Sequence, residues 1–309
     1  MRVLEDKFSP DDFKHPVVTI GSFDGVHLGH QALIRRAIEE ARRVKGEAVV
    51  LTFNPHPMKV LFPQKRLMLI TPHEKKLGLF EDMGVDVVIG HPFTRQLSEK
   101  PPEAFVEEIL YRGIRPLKVV VGYNFTFGKG RSGTAETLRD LGNAFGFEVE
   151  VLDPFRVDSK PVSSSRIREL ILQGDLQGAS RLMGRRFFFS GRVIRGNRRG
   201  KELGVPTANL QVDPDQILPQ GVFAVWVRVG DSPYPGVLNI GRRPTFGPGK
   251  LSVEVHLIGF SGDLYGRDLL VEVVEKIRDE RPFEGPVALL QQIRADIDKA
   301  SEILRRGSR

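Results

Sequence analysis

The chain has 309 residues, 40% hydrophobic and 28% charged, enough to bury a sizeable core and to divide into two domains. Lys and Arg (46) outnumber Asp and Glu (39), giving a formal net charge of +7 that favours anionic partners such as nucleotides or phosphorylated metabolites. The absence of cysteine excludes disulfides, thiolate metal sites and a Cys nucleophile; with no long apolar run and no secretory pattern in "MRVLEDKFSPDD", the expected location is the cytoplasm.

From residue 16 to about 153, short β-branched runs alternate with helical patterns. "PVVTIG" reads as a strand and "HQALIRRAIEEARRVKG" as the helix after it. "EAVVLTF", "TPHEKKLGLFEDMG", "VDVVIG", "PEAFVEEILYRG", "LKVVVG", "TAETLRDLGNAFG" and "FEVEVL" continue the alternation. Near-continuous apolar strands between helices predict a parallel sheet covered on both faces, an α/β fold. Thr71 and Glu74 stand at capping-box spacing, and Gly46, Gly84, Gly113 and Gly146 are placed to end helices in the left-handed region.

After "VSSSRIRELILQGDLQGASRLMG" the texture changes to short strands punctuated by Gly and Pro, among them "RRFFFSGRVIRG", "GVFAVWVRVG", "LSVEVHLIGF" and "DLLVEVVEKIR". That pattern predicts a small antiparallel β-barrel over about 185–277, closed by a helix over 286–305. The boundary is expected near Gly184, giving domains 1–183 and 184–309 with no disordered linker and no internal repeat.

In an open parallel sheet the first strand-to-helix turn is the usual phosphate site, and "GSFDGVHLGH" (21–30) occupies it. Gly21, Gly25 and Gly29 let the backbone approach a ligand, and the helix start offers unpaired N–H groups to an anion. His27 and His30 fall about one turn apart on the same side, able to donate to phosphate oxygens whose charge grows in a transition state. Capping or surface roles are the alternative. Metal ligation through His15, His27, His30, His56 and His73 is disfavoured, because H-x-x-H in a glycine turn lacks the partner Glu of a zinc helix. "GKGRSG" (128–133) matches G-x-G-x-x-G but follows the fourth strand, so it reads as a basic loop able to cover a nucleotide.

These residues carry a resemblance. "GSFDGVHLGHQ" resembles the HxGH-type signature of the nucleotidyltransferase superfamily, in the form used by bacterial bifunctional riboflavin kinase/FMN adenylyltransferases. "TFNPHP" (52–57), "VGYNFTFGKGRSG" (121–133) and "VSSSRIREL" (162–170) resemble that family's next three motifs in the same order. The resemblance implies that Gly21, Phe23, Gly29, His27 and His30 hold ATP, that Ser164, Ser165 and Arg166 reach its phosphate tail, and that Asn124 and Phe127 contact the flavin. Family members often carry Asp in place of Asn124 and Thr in place of Ser165; both swaps keep hydrogen-bonding ability.

In the second half, "VPTAN" (205–209) resembles the PTAN signature of riboflavin kinases, and "GVFAVWVRV", "GVLNIGRRPTFG", "VEVHLIGFSGDLYG" and "KIRDERPF" follow in that family's order. Thr207 and Asn209 are two apart on an extended segment, so their oxygens share one side and can ligate Mg²⁺ held by ATP, or cap locally. Glu254 matches the family's catalytic base, which takes the ribityl 5′-hydroxyl proton. It alternates with Val253 and Val255, which leaves open whether its face meets water or ligand.

The expected function is phosphorylation of riboflavin to FMN in the barrel and AMP transfer from ATP to FMN in the α/β domain, giving FAD and pyrophosphate. ATP, riboflavin and FMN are the expected partners, with Mg²⁺ accompanying ATP, FMN and FAD as product and substrate, and a monomer or weak homo-oligomer. Nucleic acid and membrane are not expected. One alternative is a nucleic-acid transferase with the barrel as RNA module, against which stand the lack of a KMSKS-like segment and of an RNP-like aromatic pattern. A flavin-binding protein without turnover is the other.

Overall fold

The computed structural model describes residues 1–196, 204–242 and 251–306, and the chain divides into two compact units, Met1–Ser164 and Ser165–Arg309. In the first, β1 (Arg2–Leu4), β2 (Val17–Ile20), β3 (Ala48–Phe53), β4 (Val87–His91) and β5 (Lys118–Gly122) precede a small hairpin of β6 (Thr126–Phe127) and β7 (Gly133–Thr134), and β8 (Glu148–Leu152) follows it. Six of these form one sheet in the order β1-β4-β3-β2-β5-β8, every pair parallel. The strand β1 was not expected, because three largely exposed residues carry no periodic signal.

The apolar runs are continuous because both faces of the sheet are covered. Val18, Ile20, Val49, Leu51, Val119 and Val121 point into one core with Phe105, Leu110 and Leu138. Their neighbours Val17, Val50, Val88 and Val120 point the other way, toward Ile34, Ala37 and Phe80. Alternate side chains leave a strand on opposite faces, so a doubly covered strand has no polar position to spare. The covering helices include α1 (Leu28–Arg43), α2 (Pro57–Leu61), α3 (His73–Asp82), α4 (Arg95–Ser98), α5 (Pro102–Phe105, continuing as a π-helical stretch over Val106–Ile114) and α6 (Ala135–Phe145).

Helix ends depart from expectation in three places. The N-cap of α3 is Pro72 with no side-chain cap, so Thr71 and Glu74 do not form the box; the backbone N–H of Thr71 donates instead to Asp24. Gly84 and Gly146 do adopt left-handed backbone (φ 85 and 81), but at the other two ends Lys45 and Arg115 take that conformation. Gly46 is required for another reason: a Cβ there would lie 2.1 Å from the carbonyl oxygen of His15.

A second short hairpin, β9 (Arg156–Val157) with β10 (Lys160–Pro161), precedes α7 (Ser164–Gln173) and α8 (Leu176–Met183). The barrel then runs β11 (Phe187–Ile194), β12 (Ala208–Val212), β13 (Gly221–Val229), β14 (Ser232–Arg242), β15 (Leu251–Leu257) and β16 (Asp268–Arg278). It closes in the order β11-β12-β15-β14-β13-β16, all neighbours antiparallel. Phe189, Val271 and Val227 sit side by side across three strands and are fully buried, as are Val255, Leu238 and Phe223. Each such side chain contributes about 1.5–3 kcal/mol through burial. The terminal helix Pro286–Arg306 lies outside, placing Ala300, Ile303 and Leu304 against Val222, Ala224 and Trp226. α8 packs on β11 and β16, which groups it with the barrel.

Candidate functional site

The sheet order reverses between β2 and β5, since β3 and β4 lie on one side of β2 and β5 on the other. A parallel sheet opens a crevice beyond the carboxyl ends of its strands at such a point. The segment from Gly21 to His30 leaves β2 there.

His27 is the N-cap of α1: its Nδ1 accepts from the backbone N–H of His30 at 3.2 Å. A neutral imidazole that accepts at Nδ1 carries its proton on Nε2, so this cap selects the tautomer that donates from the ring's far side. The His30 ring stacks on it, with centroids 3.5 Å apart and planes 17° apart. The two histidines therefore act as one pair, His27 buried and His30 half-buried. Gly29 lies beneath, and a Cβ there would come within 3.2 Å of the His27 ring. The Phe23 ring fills the core between His30 and Phe80, so its side chain supports the turn from below.

The turn is strained and pinned. Phe23 (φ 48), Gly25 (φ 87) and Val26 (φ 37) all have positive φ, and for a β-branched valine that is an outlier costing about 1–3 kcal/mol. What holds it is buried polar chemistry. Both carboxylate oxygens of Asp24 accept from the backbone N–H of Ile70, and one also from that of Thr71, at 3.0–3.1 Å. The amide of Gln31 donates to the carbonyl of Val26 at 2.9 Å. Lys76, 4% exposed, donates through Nζ to the carbonyl of Ser22 at 2.8 Å. Burial lowers its pKa from 10.5 to about 8, an effect the Asp24 charge only partly opposes.

Beside this turn opens a cavity of about 640 Å³. Gly21, Ser22 and His30 form one wall; Phe53, Phe62 and Phe93 are among the rings that form others. Phe127 lies on a third, stacked on Phe125 with centroids 5.4 Å apart and backed by Phe105. Asn124 is exposed at the tight turn after β5, where it lines the same space. The "GKGRSG" loop, expected over a nucleotide, forms the β6–β7 hairpin at the rim of this aromatic cavity.

Ser164, the last residue of the first unit, donates through Oγ to the carbonyl of Asp24 at 2.9 Å. Ser165 is exposed and Arg166 half-buried on the same first turn of α7.

On the barrel, strand register decides the question that alternation left open. Val253, Val255 and Leu257 are buried inside, so Glu254 faces outward, half-buried. Asn209 of β12 is its direct partner on one side and Asn239 of β14 on the other. Directly paired residues share a face with Cβ atoms about 4.5–5.5 Å apart, so Asn209, Glu254 and Asn239 form one row across three strands. Ser252 donates to Glu254 Oε1 at 2.9 Å. Thr207 stands exposed just before β12, on the segment that His256 clips through its contact with the carbonyl of Pro206 at 2.8 Å. A Cβ on Gly196 would lie 2.2 Å from Asn209 Nδ2, so this Asn needs a glycine beside it. Thr and Asn oxygens suit a hard cation such as Mg²⁺. Among the described residues, no group of three His, Asp or Glu is placed to hold a metal. Of the kinase-like motif "GVLNIGRRPTFG", the part after Arg242 lies outside the described residues.

Two residues of these sites carried no sequence signal used above, and a third was read only as part of a basic loop. Asn239 stands in "VLNIG", Lys76 in an ordinary helix pattern and Arg131 in the basic loop. A lysine one helical turn before Phe80, on the same buried face of the helix, was the one visible anomaly.

Comparison with known proteins covers both units. The FAD synthetase family matches residues 9–166 and the riboflavin kinase family residues 183–304. Bifunctional riboflavin kinase/FMN adenylyltransferases are similar over nearly the full length: that of Bacillus subtilis is 37% identical, covering 92% of this chain and 91% of its own. That of Pseudomonas fluorescens is 38% identical with the same coverage, and that of Listeria monocytogenes 36%, covering 91% and 90%. A crystal structure described as a macrolide-efflux protein from Streptococcus pneumoniae superposes with a TM-score of 0.87 at 29% identity, covering 97% of this chain and 99% of that one. Among the described residues of this chain, no helix is long and apolar enough to cross a membrane.

Proposed function

From the premise that this chain belongs to the family of bifunctional riboflavin kinase/FMN adenylyltransferases, we propose which of its residues carry each reaction. The protein phosphorylates riboflavin with ATP and adenylylates FMN to FAD. The functional domains are residues 1–183 for adenylyl transfer and 184–309 for the kinase.

In adenylyl transfer the FMN phosphate attacks the α-phosphorus of ATP and pyrophosphate leaves. The nucleophile is already an anion, so the site needs positioning and charge stabilisation and no general base. His27 and His30 donate to the ATP phosphates through the edges that their stacked, capped arrangement presents. Gly21, Phe23 and Gly29 shape the backbone of that turn, and Ser164, Ser165 and Arg166 serve the phosphate tail. Lys76 adds a buried positive charge behind the Ser22 carbonyl. The flavin occupies the aromatic cavity beside Phe127 and Asn124. His30 on the wall of that cavity, stacked on His27, is the observation that carries this reading.

In the kinase reaction Glu254 takes the 5′-hydroxyl proton of riboflavin as the oxygen attacks the γ-phosphorus, and ADP leaves. Thr207 and Asn209 would hold Mg²⁺, which when bound would neutralise charge on the ATP phosphates. Asn239, on the opposite side of Glu254 from Asn209, orients the carboxylate or the hydroxyl it serves. We further propose a cytoplasmic enzyme, monomeric or weakly self-associating, with small-molecule partners only; its lack of cysteine fits a reducing compartment.

The test separates the two steps by chromatography of FMN and FAD. His30→Ala is expected to slow conversion of FMN to FAD by about 100-fold or more, leaving riboflavin phosphorylation within twofold. Glu254→Gln is expected to do the reverse, with a loss of about 10²–10⁴-fold in FMN formation. Equal loss of both activities in either folded variant overturns the assignment.

A further inference from the structure

A cavity walled by phenylalanine binds the tricycle of riboflavin and of FMN alike, because stacking and burial are blind to the far end of the ribityl chain. Only FMN carries the phosphate that attacks ATP. An adenylyltransferase that shares its chain with a riboflavin-consuming kinase therefore needs a device that reads the phosphate. We infer that Arg131 is that device: it selects the phosphorylated flavin in the cavity beside His30. The inference rests on the reading of this cavity as the FMN site.

Four observations support it. Among the described residues lining the cavity, Arg131 is the one whose side chain always carries charge. Its Nε donates to Thr126 Oγ1 at 2.9 Å, which fixes the guanidinium plane and keeps the Nη pair, the edge suited to bidentate phosphate binding, for another partner. The residue holds a left-handed backbone (φ 61), costly for a residue with a Cβ, at the tip of the β6–β7 hairpin. The hairpin itself is seated on the flavin wall: a Cβ on Gly133 would lie 2.8 Å from the Phe127 ring, and one on Gly128 2.9 Å from Pro102. The ring that stacks the flavin and the cation that reads its phosphate are thus parts of one rigid turn.

The experiment uses the full chain, supplied with FMN and saturating ATP, and follows FAD. Arg131→Gln, which keeps a hydrogen-bonding side chain and removes the charge, is expected to raise KM for FMN about tenfold or more while kcat stays within threefold. Arg131→Lys, which keeps the charge but not the fork, is expected to fall between, near threefold. Added KCl should raise KM for FMN in the wild type and do so much less in Arg131→Gln, because screening acts on the charge. The inference is overturned if Arg131→Gln stays within twofold of wild type, or if Arg131→Lys is no better than Arg131→Gln. Phe62→Ala tests the cavity separately: a rise in KM for FMN supports the flavin site, and an unchanged KM there removes that reading whatever Arg131 does.

Discussion

Replacing Lys76 by Met tests the buried charge beneath the histidine turn. The ammonium is 4% exposed and its pKa drops from 10.5 to about 8, chiefly through burial. At about 1.36 kcal/mol per pH unit, that drop corresponds to roughly 3 kcal/mol of native-state penalty. The folded value lies below the unfolded one, so between pH 8 and 10.5 the unfolded chain binds the extra proton. The penalty is therefore complete below pH 8 and is released as pH rises to 10.5. Methionine fills similar volume and does not titrate, but it leaves the Ser22 carbonyl with only the weaker donor Thr52 Oγ1 at 3.4 Å, a loss of about 1–3 kcal/mol. At pH 7 the two terms nearly cancel, and Lys76→Met should be as stable as the parent or slightly more so. By pH 10.5 only the loss remains, and the variant should be weaker by about 1–3 kcal/mol. Trp226, the single tryptophan, lies in the barrel and does not report on this unit. Hydrogen exchange at the β2 and β3 amides, compared between variant and parent at each pH, gives the difference directly. Adenylyl transfer should fall about tenfold at pH 7, and the parent's rate should decline toward the variant's as pH passes 8. A stability difference that stays flat from pH 7 to 10.5 would show that Nζ reaches water and would refute the argument.

Asn239→Ala should slow riboflavin phosphorylation about tenfold and leave FMN adenylylation unchanged; equal rates for variant and parent would remove Asn239 from the kinase site. Asp296 is 3% exposed and pairs with Arg278 at 2.8–3.1 Å. Asp296→Ala should therefore destabilise the barrel by about 3 kcal/mol, read from Trp226 fluorescence in guanidinium, with a loss under 1 kcal/mol counting against a structural role for this pair.

Much was legible in the sequence because it rests on local physics. The parallel sheet followed from doubly apolar strands, the barrel from short alternating ones, and the place of the glycine–histidine turn from the junction where a strand meets a helix. Residues such as Val18 and Val50 announce their environment through the run they stand in, since a strand that is apolar at successive positions is covered on both faces. What failed was the chemistry that depends on a distant partner. Thr71 had capping-box spacing, yet Asp24, 47 positions away, took its N–H, and Pro72 became the cap.

The sequence by itself thus determined the two fold classes, their order and the family to which the chain belongs. Only tertiary structure decided that Glu254 faces outward between Asn209 and Asn239, that Lys76 lies under the histidine turn, and that Arg131 stands at the aromatic cavity. The physical reason is that burial periodicity is written into neighbouring residues. Register, the pinning of a strained turn and the aim of a charge depend on pairings between residues tens of positions apart, which no local pattern records.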